Sequence, residues 1–225
     1  MPIQAVIFDQ NQVLLAYDHQ AAQQYFKPLL PISYQELGDY WNKWIQSTSF
    51  PDSVPQEEAF WRAFWESLCH DFNICGAARA KVLAFSYASI LKPYPDSRPA
   101  LKALQGQGVK VGVLSNFSFA SLAASLTAVG LGEYIEVAVS ATVIGVAKPE
   151  PAAYAYILNR LRVPAEACLF FDNKMAHVQG AREFGIEAYL VDRGQPEHDL
   201  GQGMISDLTA VPPLCESVSY REASS

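Results

Sequence analysis

Five short apolar runs punctuate the chain: Ala5–Phe8, Val109–Leu114, Ile135–Ser140, Cys168–Phe171 and Ala188–Val191. Runs of this length, rich in Val, Ile and Phe, read as buried strands. Helical patterns separate the last four. Ser97–Gln107 stops at Gly108, and Ser118–Ala128 stops at Gly130. Pro151–Arg162 starts on a proline, whose missing N–H costs nothing in a first helical turn. Met175–Phe184 stops at Gly185, a residue suited to a helix C-terminus. Strands and helices alternating in this way predict right-handed crossovers and a parallel sheet covered by helices on both faces.

The pattern changes from about Asp18 to Leu91, which reads as helical and aromatic throughout. Ser33 and Glu36 have the spacing of a capping box. Behind them Leu37, Tyr40, Trp41, Trp44 and Ile45 recur at helical intervals. A polar link, Ser47–Pro55, precedes a second stripe of Phe60, Ala63, Phe64 and Leu68, with Trp61 and Trp65 beside it. A further helix fits Ala77–Ile90, and three prolines in LKPYPDSRP mark the return to the sheet. The expected fold class is therefore α/β: a Rossmann-like core of about five parallel strands, residues 1–17 and 92–225, with a helical bundle, residues 18–91, inserted as a cap. All four tryptophans lie in the insert. They suit a bundle core, and also an aromatic wall over a substrate pocket. The tail after Pro213 is expected to fray.

Composition narrows the function classes. The chain has 225 residues, half of them hydrophobic, and a net charge of −7. It is long enough for a substantial core, and without a basic run it is not expected to bind nucleic acid. No apolar stretch reaches the length of a membrane span and no signal peptide is visible. Cys69, Cys75, Cys168 and Cys215 form no metal-binding spacing and read as reduced thiols in a cytoplasmic protein.

Ligands of an open parallel sheet bind beyond the carboxyl ends of its strands. The first run ends in Asp9, the second in Ser115 and Asn116, and the fourth in Asp172 and Asn173; Lys148 lies beyond the third. Any one such acid can be a helix cap. Together they offer a nucleophilic carboxylate, donors and a lysine for phosphate oxygens, and oxygen ligands for Mg²⁺.

Four stretches, VIFDQNQVLL, VGVLSNFS, GVAKPEPAAY and LFFDNKMAHVQGAREFGI, resemble in order and spacing the four motifs of the haloacid dehalogenase-like hydrolase superfamily, in its helical-cap branch. The resemblance spans about residues 3–210. It implies a phosphatase acting on a small phosphorylated metabolite through an aspartyl-phosphate on Asp9. It also implies that Ser115 and Asn116 hold the transferring group and that Lys148 bridges nucleophile and substrate. Mg²⁺ would sit on Asp9, the Asn11 backbone carbonyl, and the acid-pair position at Asp172 and Asn173. Two family acids are amides here. Asn11 stands where the family's general acid stands, and an amide does not titrate. Asn173 replaces the second acid of the metal pair, and Gln12 replaces a glycine. Asp18, His19 and His177 are candidates to supply the missing proton transfer. Two alternatives stay open: a 2-haloacid dehalogenase, whose halide leaves without protonation, and a non-catalytic member that binds a ligand or a protein.

Overall fold

The computed structural model describes residues 2–116 and 121–222. The chain runs β1 (Ala5–Phe8), β2 (Leu15–Tyr17), α1 (His19–Phe26), α2 (Tyr34–Ile45), α3 (Val54–Asp71), α4 (Gly76–Leu83), β3 (Leu91–Pro93) and α5 (Ser97–Gly106). It continues through β4 (Lys110–Ser115), α6 (Leu122–Ala128), β5 (Val137–Ser140), α7 (Ala141–Ile144), α8 (Pro151–Leu161) and β6 (Cys168–Asp172). The last elements are α9 (Met175–Glu183), β7 (Glu187–Val191), β8 (Met204–Ile205) and α10 (Val211–Glu222).

The main sheet has six strands in the order β5-β4-β1-β6-β7-β8, every pair parallel. β1 lies inside it, so both its faces are covered. Val6 and Phe8 join a cluster with Leu101, Leu104 and Val113, while Ala5 and Ile7 join one with Tyr154, Ile157 and Phe170. This period-two division of an unbroken apolar run is the behaviour of a central parallel strand.

The sixth strand, β8, was not among the five expected, because two residues in a polar stretch carry no periodicity. β2 and β3 were also not expected. They pair antiparallel, Tyr17 opposite Leu91, and hold together the two crossings into the insert.

The insert has its own cluster, with Phe26, Leu37, Phe64, Trp65 and Leu68 buried together. The capping box forms: the Ser33 hydroxyl accepts from the Glu36 N–H, and Glu36 accepts from the Ser33 N–H. The helix expected over Ala77–Ile90 instead breaks into α4 and a 3-10 turn at Tyr87–Ile90. The break lets two rings pack in different directions, Phe85 on Phe26 and Tyr87 on Tyr17. Of the helix expected over Ser118–Ala128, the part from Leu122 is present; residues 118–120 lie outside the described residues. The tail expected to fray is helical through Glu222, because Leu214 and Cys215 are buried against the sheet; residues 223–225 lie outside the described residues. Among the described residues no helix is long and apolar enough to cross a membrane. The four cysteines are free thiols.

Candidate active site

The register of the three central strands sets the site. Phe8 lies opposite both Val113 and Phe171, so Asp9 and Asp172, one residue further on, emerge side by side at the carboxyl edge. The Asp9 N–H extends the ladder by donating to the Phe171 carbonyl, 2.8 Å away.

Lys148 reaches this edge from the segment before α8. Its ammonium group donates three bonds: to Asp9 Oδ1 at 2.7 Å, to Asp172 Oδ2 at 2.6 Å and to the Leu114 carbonyl at 2.6 Å. All three ammonium protons are thereby used. One buried lysine thus serves two buried carboxylates, and their environments push them apart. Burial raises the Asp9 carboxyl above the ordinary carboxylate value, against the pull of Lys148. Burial acts the same way on Asp172. There the His177 hydrogen bond and Lys148 outweigh it and hold the carboxyl below that value.

Asn116 seats the lysine. Its Oδ1 accepts from the Lys148 backbone N–H at 2.8 Å and its Nδ2 donates to the Lys148 carbonyl at 2.7 Å. The amide expected at the transferring group therefore acts on the backbone. Its two backbone partners fix which end is oxygen and which is nitrogen. That orientation also sets a tautomer. Asn116 Nδ2 lies 3.4 Å from His177 Nε2 and His177 Nδ1 lies 3.0 Å from Asp172 Oδ2, so the neutral tautomer that fits both contacts has its proton on Nδ1.

α9 holds His177 close to Lys148 because Gly180 has no side chain. A Cβ there would lie 2.6 Å from Pro149 Cβ and 2.8 Å from the Pro149 carbonyl oxygen. Gly180→Ala is expected to destabilise the protein by about 1–3 kcal/mol and to lower activity by displacing Lys148. Denaturant unfolding checks this, and an unchanged midpoint would show that α9 can move away without strain.

These groups surround a pocket of about 310 Å³ lined by Asp9, Asn11, Gln12, Tyr17, Tyr87, Ser115, Asn116, Asn173, Lys174 and His177. Ser115 is buried at the end of β4. Tyr17 and Tyr87 share a hydrogen bond, and burial pushes the Tyr17 hydroxyl up to about 12, so it stays protonated. Of the three candidates for proton transfer, only His177 lines this pocket. Asp18 caps α1 through the Ala21 N–H and pairs with Lys92. His19 turns into the insert, with Nδ1 3.2 Å from the Tyr34 hydroxyl.

The donor set expected for Mg²⁺ is only partly present. Asp172 is sealed from the pocket, and its oxygens accept from Lys148, His177 and the Lys174 N–H. Asn173 faces the pocket but donates its Nδ2 to Gln12 Oε1 at 2.9 Å. Asp9, already paired with a lysine, is the one carboxylate among the described residues of the lining. Among the described residues no three His, Cys, Asp or Glu side chains group to hold a metal ion. One lysine-paired carboxylate and neutral oxygens do not fit a tight divalent site.

Two contributors were not found from the sequence. Arg193, just past β7, donates to the Val13 carbonyl at 2.6 Å and the Gln12 carbonyl at 3.3 Å, and forks onto Asp96. It clamps the loop after Asp9, where Gln12 takes a left-handed conformation (φ 62°) that glycine adopts more easily. Reading two residues beyond each strand, as for Asn116 and Asn173, would have reached Arg193. Glu57 on α3 accepts from the Ser121 N–H at 2.7 Å and the Ser121 hydroxyl at 2.8 Å, joining the insert to the core. An acid on a long polar-faced helix carries no sequence signal for that contact.

A family model for haloacid dehalogenase-like hydrolases matches residues 3–185. The chain is 34% identical to Phosphatase MT3486 of Mycobacterium tuberculosis (strain CDC 1551 / Oshkosh), over 96% of this chain and 98% of that protein. It is 28% identical to (S)-2-haloacid dehalogenase 2 of Pseudomonas sp. (strain CBS-3), over 96% and 97%. Its fold is similar to that of L-2-haloacid dehalogenase from Xanthobacter autotrophicus, with a TM-score of 0.64 at 22% identity over 95% and 98% of the two chains.

Proposed function

The chain belongs to the haloacid dehalogenase-like hydrolase family, and from that premise we propose that it is a phosphatase acting on a small phosphate monoester through Asp9. Residues 18–91 act as a cap over a core of residues 1–17 and 92–225. Four free thiols suit a cytoplasmic setting. The observation that carries the reading is the Asp172–His177 pair behind the nucleophile, with His177 Nε2 as the accepting nitrogen on the pocket side. The similarity to Phosphatase MT3486 supports it.

In the first step an oxygen of Asp9 attacks phosphorus. The P–O bond to the alcohol breaks, the alkoxide leaves with the electron pair and takes a proton from solvent. Lys148 holds the carboxylate in place through Oδ1 and offsets the incoming negative charge. Ser115 and Lys174 are the donors for phosphate oxygens. In the second step water attacks the aspartyl-phosphate. His177 Nε2 takes its proton while Asp172 steadies the imidazolium through Nδ1. Inorganic phosphate leaves and Asp9 is restored. His177 then gives this proton to solvent, and so does the second part of the work that Asn11 cannot, the activation of water. No step is assigned to a metal ion.

The test is a panel of phosphate monoesters with and without Mg²⁺, comparing wild type with His177→Asn. The variant is expected to lose roughly 10²- to 10⁴-fold in turnover and to show a burst of alcohol release, because hydrolysis of the intermediate becomes limiting. A full rate without a burst would remove His177 from the mechanism. Turnover is expected to persist in EDTA. Complete loss in EDTA, restored by Mg²⁺, would overturn the metal-free reading.

A second reading, the 2-haloacid dehalogenase, is favoured by Asn11, since a halide needs no acid to leave. Halide release from a 2-haloacid, with no ester turned over, would replace the first reading.

A further inference from the structure

We propose that the phosphate ester carries an apolar aromatic ring on its alcohol side, and that this ring seats in a pocket inside the insert. The inference rests on the phosphatase reading above and names its substrate class.

A second pocket of about 280 Å³ opens between α1, α2 and α3. Phe26, Trp41, Trp61, Trp65 and Phe85 are among its walls, and no Asp, Glu, Lys or Arg is among the residues that line it. A cavity lined this way binds flat apolar groups, through area removed from water and through ring-on-ring contact.

It adjoins the catalytic pocket. Tyr87 lines both. Its ring lies 5.4 Å from that of Tyr17 on the Asp9 side and stacks at 5.7 Å on Trp61 on the insert side. The two pockets therefore border one side chain, and in the proposed complex the phosphate sits on its Asp9 side and the ring on its insert side. The third cavity that Tyr87 lines, towards Ser121, carries Glu57, Glu58 and Glu66 against one cation, Arg62, among its described residues. Those carboxylates repel an anionic ester, so the apolar pocket is the one that fits.

Gly38 supplies an independent observation. It lies inside α2, where glycine is unfavourable compared with alanine, and a Cβ on it would meet nothing within 4 Å. No packing constraint requires a glycine there. Gly38 lines the pocket, one turn from Tyr34 and from Trp41 on the same helix face. Gly38 is exposed, so a side chain here has room and lies beside the pocket lining.

The chemistry of the leaving group agrees with the pocket. With Asn11 in place of the usual acid, the departing oxygen receives no proton from the enzyme. Phenol-type alcohols leave as more stable anions than alkyl alcohols and need that proton least.

The experiment separates the ring's binding from its leaving ability. 2-Phenylethyl phosphate and ethyl phosphate release alcohols of similar basicity, so their ratio of kcat/KM reads the pocket. Wild type is expected to favour the phenylethyl ester by roughly 10- to 100-fold. Gly38→Leu is expected to fold with an equal or higher Tm and to lose the preference. Binding of 2-phenylethanol, followed by tryptophan fluorescence, is expected to saturate in wild type and not in the variant. Equal turnover of both esters without alcohol binding overturns the inference and leaves the phosphatase reading intact. A preference that survives in Gly38→Leu also overturns it. If neither ester is hydrolysed while the alcohol still binds, the phosphatase reading fails and the pocket stands as a site for an apolar ring.

Discussion

Asp9→Asn is expected to lower ester hydrolysis by on the order of 10⁴-fold or more, with the fold retained. An amide oxygen is a weak nucleophile, and among the described residues no other carboxylate lines the pocket to replace it. The substitution is close to isosteric. It removes one of two anionic partners from Lys148, which keeps Asp172 and the Leu114 carbonyl, so the lysine is not left as an unpaired buried charge. Burial already raises the Asp9 carboxyl above the ordinary carboxylate value, so a neutral group there relieves a desolvation cost. The measurement is steady-state hydrolysis beside thermal unfolding of the same samples. Turnover within tenfold of wild type would place the nucleophile elsewhere. A large fall in Tm would make the loss of activity a folding effect.

Lys148→Met is expected to produce the largest loss of stability, about 3–5 kcal/mol, as well as loss of activity. The Lys148 side chain is 0% exposed and its ammonium holds two buried carboxylates together. Methionine fills much of the volume but satisfies neither acid, which leaves like charges facing each other in a site without water's screening. The double variant Lys148→Met/Asp172→Asn is expected to recover part of the stability, because the repulsion between two buried carboxylates is then removed. Denaturant unfolding of wild type, single and double variants checks this. A double variant no more stable than the single one would mean that packing, rather than charge, sets the cost.

Much of this site is legible along the chain. Asp9, Ser115 and Asp172 announce themselves because apolar runs end on them. Lys148 follows from the family resemblance. Other parts depend on which chain segments meet. Asp172 and Asn173 are adjacent, and nothing local indicates that the acid turns inward to Lys148 while the amide faces the pocket. Asn116 looks like a ligand group beside Ser115, but its amide matches the N–H and C=O of Lys148, 32 residues away in sequence. His177 stands equal to Asp18 and His19 as a proton-transfer candidate until α9, brought close by Gly180, places it against Asp172.

The alternation of apolar runs and helical stripes was enough to determine the α/β class, the inserted helical segment and the edge on which polar chemistry collects. Those features are properties of short stretches of backbone, whose period is written residue by residue. The allocation of hydrogen bonds is different. Lys148 and Asp9 lie 139 residues apart in the chain, and which acid keeps its charge, which amide serves the backbone and which imidazole nitrogen turns from Asp172 towards the pocket depend on distances across the sheet edge. Only the tertiary structure decides these, because a buried charge responds to partners within a few ångströms, whatever their place in the sequence.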